Sequence, residues 1–177
     1  MPSHDISDLR RLNHLVGEDF YFLTYSILLT LHVASPRGGV FRDNRKLAHA
    51  LQFVSDSRLL SILDRHQGSR VDNPVDRELL FAAFSNAELL KREIYKLLIS
   101  LDRRGMLSAV ASGVPGVINV SLNSDAIESD FLSSAIFESE RRNATELRRL
   151  VPRLGVMTLE TFLERVYVNR GVRAWAL

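Results

Sequence analysis

The sequence has no cysteine, and its 177 residues include only five prolines, nine glycines and one tryptophan. The missing cysteine excludes disulfides, thiolate zinc sites, iron–sulfur clusters and cysteine nucleophiles together. Glycine and proline punctuate the chain instead of forming a linker, and there is no low-complexity tract or internal repeat. With 46% apolar and 25% charged residues, the composition predicts an ordinary globular protein that suits a reducing cytoplasm.

No apolar run is long enough to predict a membrane span. The most apolar stretch, Phe20 to Ala34, falls short of the roughly 20 residues that a spanning helix needs, and four polar side chains interrupt it. Acidic residues near the N-terminus stand where a secretory signal has basic ones. We therefore expect a cytoplasmic protein without membrane contact. The stretch is predicted to be a buried helix starting at Glu18 and Asp19, with an oligomer interface as the alternative.

A large excess of charge of either sign is also missing, because 23 Lys and Arg face 21 Asp and Glu. The charges are unevenly distributed, however. Two basic segments flank an acidic one: the net charges are −2, +4, −3 and +3 for residues 1–36, 37–70, 71–137 and 138–177. Clustered Lys and Arg can bind phosphates by releasing counterions, so the basic segments are candidates for contact with nucleic acid or an acidic partner.

The common catalytic patterns are missing as well. No glycine-rich loop ends in Lys-Ser or Lys-Thr, which excludes the usual phosphate-binding loop of nucleotide hydrolases. None of the five histidines is paired with another at metalloprotease spacing. Acidic residues such as Asp43, Asp76 and Glu78 lie where helices are predicted to start, and capping explains them there. We expect no catalytic site, no metal and no cofactor.

Helical spacing of apolar residues covers most of the chain. Asp43 or Asn44 is predicted to cap a helix that runs to about Val54, and Asp56 to cap another that ends near His66. A short helix from Asp76 to Phe84, a capping turn at Ser85-Asn86 and a long helix from Ala87 to Arg104 are predicted next. Later helices are expected from Asp125 or Asp130, over 136–151, and from Thr158 to about Val168.

Two β-prone runs follow the long helix. Gly105 is placed to end that helix in a left-handed conformation, and the runs 106–111 and 117–122 are separated by a five-residue loop, which predicts a hairpin. A helix, a turn, a long helix and a hairpin form the outline of a winged helix-turn-helix. We predict a mainly α fold, with a winged-helix domain over 1–124 and a helical extension for partner contact over 125–177. A generic α+β unit is the alternative.

Seven basic residues are the predicted contacts with a partner or with nucleic acid: Arg42, Arg45, Lys46, Arg141, Arg142, Arg148 and Arg149. The last four recur seven residues apart on one predicted helix and are expected to form a basic stripe. Arginine suits carboxylate and phosphate pairing because its guanidinium is a planar fork. The long helix before the hairpin mixes acidic and basic residues, so protein contact is favoured there over DNA contact.

Four segments of the sequence carry a likeness to a known family: 38–49 (GGVFRDNRKLAH), 55–60 (SDSRLL), 76–80 (DRELL) and 98–107 (LISLDRRGML). Together they resemble the middle components of bacterial ABC three-component conflict systems, which include Lamassu-type anti-phage defence. The likeness spans roughly residues 18–122. The C-terminal third lies outside it.

The resemblance implies a small, non-catalytic winged-helix adaptor. Such a subunit joins an effector, often a nuclease, to an SMC-like ATPase that senses foreign DNA, so DNA could be reached through the complex. The alternative is a stand-alone winged-helix transcription regulator that binds DNA, as a dimer through the apolar first helix or the C-terminal helices. A third interpretation is a catalytic subunit whose site is completed by another chain.

Overall fold

The computed structural model describes residues 6–35 and 39–173, with side chains from residue 20 onward. The described chain is mainly helical and carries one small antiparallel sheet. Its elements are α1 Ile6–Ala34, β1 Val40–Phe41, α2 Arg45–Ser55, α3 Ser57–Arg65, α4 Pro74–Arg103, β2 Leu107–Ala111, β3 Ile118–Leu122, α5 Ser129–Ser133, α6 Glu138–Leu150 and α7 Leu159–Val166.

Helix α1 starts earlier than the sequence predicted. It runs without a break from Ile6 to Ala34, so Glu18 and Asp19 lie inside it and the prediction of a helix start there was wrong. The segment from Tyr25 to Leu31 is buried on all sides, which confirms the prediction of a central core helix. The preceding aromatic residues, Phe20 to Phe22, are exposed. None of the helices in the described ranges is both long and apolar enough to cross a membrane.

Two acidic side chains start α2 and α3, as the sequence predicted. The Asp43 carboxylate accepts the Arg45 backbone N–H at 3.1 Å, and the Asp56 carboxylate accepts that of Arg58 at 2.9 Å. Asn44 has a different role from the capping predicted for it. Its side-chain oxygen accepts the Ile118 N–H at 2.9 Å, and its own N–H donates to the Ile118 carbonyl at 2.9 Å. This pair of bonds joins the start of α2 to the hairpin.

Helix α4 is continuous over 30 residues, so the predicted turn at Ser85-Asn86 is wrong. The helix starts at Pro74, where the Asn73 side chain accepts the Val75 N–H at 2.9 Å. Ser or Asn in a helix interior lowers the stability of the helix by only about half a kcal/mol relative to Ala. Breaking the helix would disrupt its buried face, which continues at spacings of three and four residues through Leu80, Ala83, Phe84, Ala87, Ile94, Leu97, Leu98 and Leu101.

The predicted hairpin is confirmed. Strands β2 and β3 pair antiparallel from Leu107 opposite Leu122 to Ala111 opposite Ile118. Gly105 ends α4 with φ +73°, as expected for a left-handed cap. Strand β1 was not predicted from the sequence; it pairs antiparallel with β3 at Val40 and Phe41 and gives the strand order β1-β3-β2.

The C-terminal helices pack on the same core as the helices before the hairpin. Leu147 of α6 and Phe162 and Leu163 of α7 are at most 1% exposed, and α6 contacts α1, α2 and α3. Asn143 of α6 donates to the Val54 carbonyl at 2.9 Å. The buried aliphatic residues of this region therefore pack back on this chain. The domain boundary at 124 and the partner contact of 125–177 stay predictions.

Candidate partner-contact surfaces

The first predicted basic group lies at the start of α2. Arg42 is exposed, and its backbone N–H donates to the Gly155 carbonyl at 2.7 Å. Arg45 pairs with Asp43 at 2.6 Å. Burial opposes ionisation of Asp43, yet the hydrogen bonds and charge of Arg45 outweigh it and hold the pKa of Asp43 below its usual value. Arg42 and Arg45 line a small cavity against the hairpin tip residues Ser112 and Val114.

Lys46 is buried and cannot serve as a surface contact, which corrects its place among the predicted contact residues. Its side chain is fully covered, and Nζ donates to the carbonyls of Leu154 and Met157 at 2.6 Å each. Nζ also lies 4.7 Å from the centre of the Phe41 ring. Burial lowers the pKa of Lys46 to about 8. Lys46 therefore holds the turn between α6 and α7 against the start of α2.

The four arginines of α6 do not form one free stripe. Arg141 is half-buried and donates to the carbonyls of Leu132 and Ser134. Arg149 pairs with Glu146 at 2.6 Å and with Asp64 of α3 at 2.7 Å, and these hydrogen bonds raise the pKa of Arg149.

Arg142 and Arg148 are the two exposed members of the set that have no side-chain partner within the described ranges. Two of the four predicted contacts thus hold this chain together. The other two face solvent.

A buried polar cluster joins α2, α4 and the end of α7. The His49 side chain is fully covered, its Nδ1 lies 3.3 Å from the Tyr167 hydroxyl, and its Nε2 lies 3.0 Å from the Glu88 carboxylate. That carboxylate pairs with Lys91 at 2.6 Å. Burial, and then the charge of Lys91, lower the pKa of His49 to about 3. Burial, and then the charge of Glu88, raise the pKa of Tyr167 well above its usual value. Both rings are therefore neutral near pH 7 and stabilise the core.

No three metal-ligating side chains of the described chain gather into a cluster that could hold an ion. His49 and Glu88 are close, but Lys91 occupies the position beside the carboxylate. The rings of Phe84, Phe162 and Tyr167 surround the His49 ring, and the Glu88 side chain is 25% exposed. This arrangement suits packing better than exchange of a ligand with solvent.

The outer face of α4 carries a row of residues that the sequence analysis missed. Its spacing of four, three, four and three residues is that of the seam of a coiled coil. We call the row the α4 seam; it consists of Val75, Leu79, Ala82, Asn86 and Leu89.

Val75 is 69% exposed and Leu89 is 79% exposed, so the two ends of the α4 seam face solvent, whereas Leu79 between them packs partly against the core. The row was missed because the predicted turn at Ser85-Asn86 divided the helix on which it lies. Exposed apolar residues that recur on one face of a long helix are typical of a surface that binds another helix.

A groove of about 700 Å³ runs between α3 and the first half of α4, and Val75, Leu79 and Ala82 of the α4 seam line its α4 side. Ile62, Leu79 and Ala82 form its apolar floor. Arg58 and Arg65 lie at its edges, where Arg58 pairs with Asp56 at 2.7 Å and Arg65 with Asp76 at 3.2 Å. The groove and the α4 seam together form an apolar surface with charged margins.

The inner side of α4 is different. Tyr95 and Ile99 in its second half pack partly buried against the core. The exposed apolar residues of the α4 seam therefore end at Leu89, near the middle of the helix.

The chain was compared with protein-family models, with curated proteins and with solved structures. No family model matches the chain, and no curated protein or solved structure does either.

Proposed function

We propose that the protein is a non-catalytic adaptor subunit of an anti-phage defence complex of the Lamassu type, in which it joins an effector to an SMC-like ATPase. In this proposal, the segment that runs from β1 to the end of β3 is a winged helix. Helices α3 and α4 are its helix pair, and the β2–β3 hairpin is its wing. The α4 seam binds a helix of the ATPase coiled coil. The resemblance of segments 38–49, 55–60, 76–80 and 98–107 supplies the family.

The α4 seam is the single observation that carries the proposal. Coiled-coil partners insert apolar side chains between those of a facing helix at alternating spacings of three and four residues. The α4 seam offers this spacing over four helical turns, and Leu89 at 79% exposure is the side chain that a partner would cover most. Asn86, one position before the end of the α4 seam, is a polar position of the kind that fixes the register of paired helices.

The charges of the same surface favour a protein partner over the major groove of DNA. Glu78 lies on the exposed side of α4 close to the seam positions, and the exposed Glu93 pairs with Lys96 at 2.9 Å. A face on which acidic residues offset the basic ones attracts phosphates only weakly. The exposed Arg42, Arg142 and Arg148 lie on other elements, where they remain candidates for DNA held by the whole complex.

The test is co-purification with a coiled-coil ATPase encoded beside the gene. We expect the wild type to form a stable complex, and Val75→Glu and Leu89→Glu to weaken it at least tenfold, because each introduces a charge into an apolar seam. Val110→Glu is the matched control: Val110 is 60% exposed on β2, away from the α4 seam, and its variant is expected to bind normally.

Two outcomes would overturn the proposal. One is a protein that shows no association with the ATPase and instead runs as a homodimer that shifts an operator fragment, as expected for the transcription regulator. The other is a complex that Leu89→Glu and Val110→Glu weaken equally, which would remove the α4 seam as the interface.

A further inference from the structure

A second cavity lies on the opposite side of α3 from the groove. It has a volume of about 340 Å³ and is enclosed by the end of α3, the end of α6 and the end of α7. Three arginines line it, Arg149, Arg165 and Arg170, together with the amide side chains of Gln67 and Asn169. No carboxylate is among the residues that line this cavity. Its polar groups therefore present hydrogen-bond donors and positive charge.

Arg170 is the most unusual residue of the cavity. It is 5% exposed, and its guanidinium donates to the carbonyls of Leu63 and Arg165. Its Nε is buried without a hydrogen-bond partner, and no acidic side chain of the described chain pairs with it. Arginine keeps its charge in proteins, and burial of a charge without a counter-ion costs several kcal/mol. Burial accordingly lowers the pKa of Arg170.

The neighbouring arginines do not offset this charge. Arg165 is exposed, and its side chain has no acidic partner within the described ranges. The nearby acids Asp64 and Glu146 both pair with Arg149. Arg165 and Arg170 thus leave two positive charges at one cavity without a counter-ion.

We propose that this cavity binds the phosphate group of a small phosphate monoester, with Arg165 and Arg170 as its principal contacts. A phosphate monoester carries between one and a half and two negative charges near pH 7, which balances the two arginines. The planar fork of the exposed Arg165 guanidinium matches two phosphate oxygens at once. Arg170, whose terminal nitrogens already donate to the carbonyls of Leu63 and Arg165, adds positive charge at the wall of the cavity. Leu150 and Val166 give one side of the cavity an apolar surface for the organic part. The volume lies at the lower end of the range for small-molecule sites.

Binding is tested by titrating the purified chain with inorganic phosphate, adenosine 5′-monophosphate and adenosine at constant ionic strength, by calorimetry and by the shift in Tm. We expect the two phosphates to bind saturably and to raise the Tm, because a ligand that binds only the folded state stabilises it. Adenosine alone is expected to have no effect.

The decisive variant is Arg165→Ala, because Arg165 is exposed and its side chain holds no other element in place. We expect it to raise the Kd for phosphate at least tenfold. Arg103→Ala is the matched control: it removes the same charge from an exposed position at the end of α4 that does not line the cavity, and less than a twofold change is expected. Equal weakening by both variants would reduce the effect to general charge attraction and overturn the proposal. So would binding of adenosine as tight as that of its monophosphate, or the absence of saturable phosphate binding.

Discussion

His49 makes the stability of the protein depend on pH in a window where few other groups titrate. Its fully covered ring has a pKa of about 3 in the folded chain, against about 6.5 in an unfolded one. Between these values the unfolded chain binds a proton that the folded chain does not. Stability is therefore fully present above pH 6.5 and falls as the pH is lowered toward 3.

The size of the effect follows from the separation of the two pKa values. Each pH unit inside the window costs about 1.4 kcal/mol of unfolding free energy, so His49 alone removes about 2 kcal/mol between pH 7 and pH 5. Three titratable groups face the ring: Glu88 and Lys91 of α4, and Tyr167. Glu88 would favour a charged imidazole, but Lys91 pairs with the Glu88 carboxylate at 2.6 Å and neutralises its charge. Burial of the ring therefore determines the direction of the shift in the pKa of His49.

The assay compares urea unfolding of the wild type and of His49→Gln at pH 7, 6 and 5. We expect the difference in unfolding free energy between the two proteins to change by about 2 kcal/mol across this range. Asp43 and Asp56, whose pKa values lie below their usual range, contribute equally to both proteins at lower pH. If the NMR signal of His49 titrated above pH 6.5, Glu88 would stabilise the imidazolium and the reasoning would be refuted.

Two further substitutions, one of them with a matched control, test the contacts of the α6–α7 turn by urea unfolding at pH 7. Lys46→Met leaves two buried carbonyls without their donor, and we expect it to lower the free energy of unfolding by on the order of 2 kcal/mol. The control, Arg45→Ala, changes the neighbouring residue and removes a partly exposed ion pair, so we expect a loss of less than about 1 kcal/mol. Equal losses of unfolding free energy in the two variants would contradict the buried role of Lys46. Gly155→Ala places a Cβ 2.7 Å from Ser35 Oγ and 3.0 Å from the Ala34 carbonyl oxygen. A loss of about 1–3 kcal/mol is expected because the Ser35 side chain has to shift and the Ala34 carbonyl has to give by a few tenths of an ångström. An unchanged midpoint for that variant would show that the end of α1 yields freely.

Local signals in the sequence predicted the elements that depend on local chemistry. The Asp56 cap, the left-handed Gly105 and the two strand runs each reside in a few adjacent residues, and the structure confirms all three. The Thr158 cap is another example, since its hydroxyl accepts the Thr161 N–H at 3.2 Å.

The errors came where packing over a distance outweighs a local signal. Ser85-Asn86 has the composition of a cap, but the buried stripe of α4 runs through it without a change of spacing. Strand β1 has two residues and depends on β3 for its formation, so no period was there to detect. Lys46 was assigned to the surface by its charge, whereas its acceptors are carbonyls more than 100 residues later in the chain.

The seven predicted contact residues fall into an exposed group and a group with partners in this chain, and packing over a distance determines which residue belongs to which. Arg42, Arg142 and Arg148 are exposed, but the pairing of Arg149 with Asp64 and of Arg141 with two carbonyls depends on how α6 lies against its neighbours. The α4 seam could have been found from its alternating spacing, provided that the helix had been predicted as continuous.

The position of Tyr167 affects how a nascent chain reaches this fold. Its ring lies 5.9 Å from that of Phe53, 5.3 Å from that of Phe84 and 5.5 Å from the imidazole of His49, measured between centroids. Helices α2 and α4 are synthesised well before it. The chain is synthesised at about 5–20 residues per second, so the apolar surface of α2 and α4 that contacts Tyr167 stays uncovered for on the order of several seconds. During that interval a chaperone has a binding surface that the finished protein no longer offers.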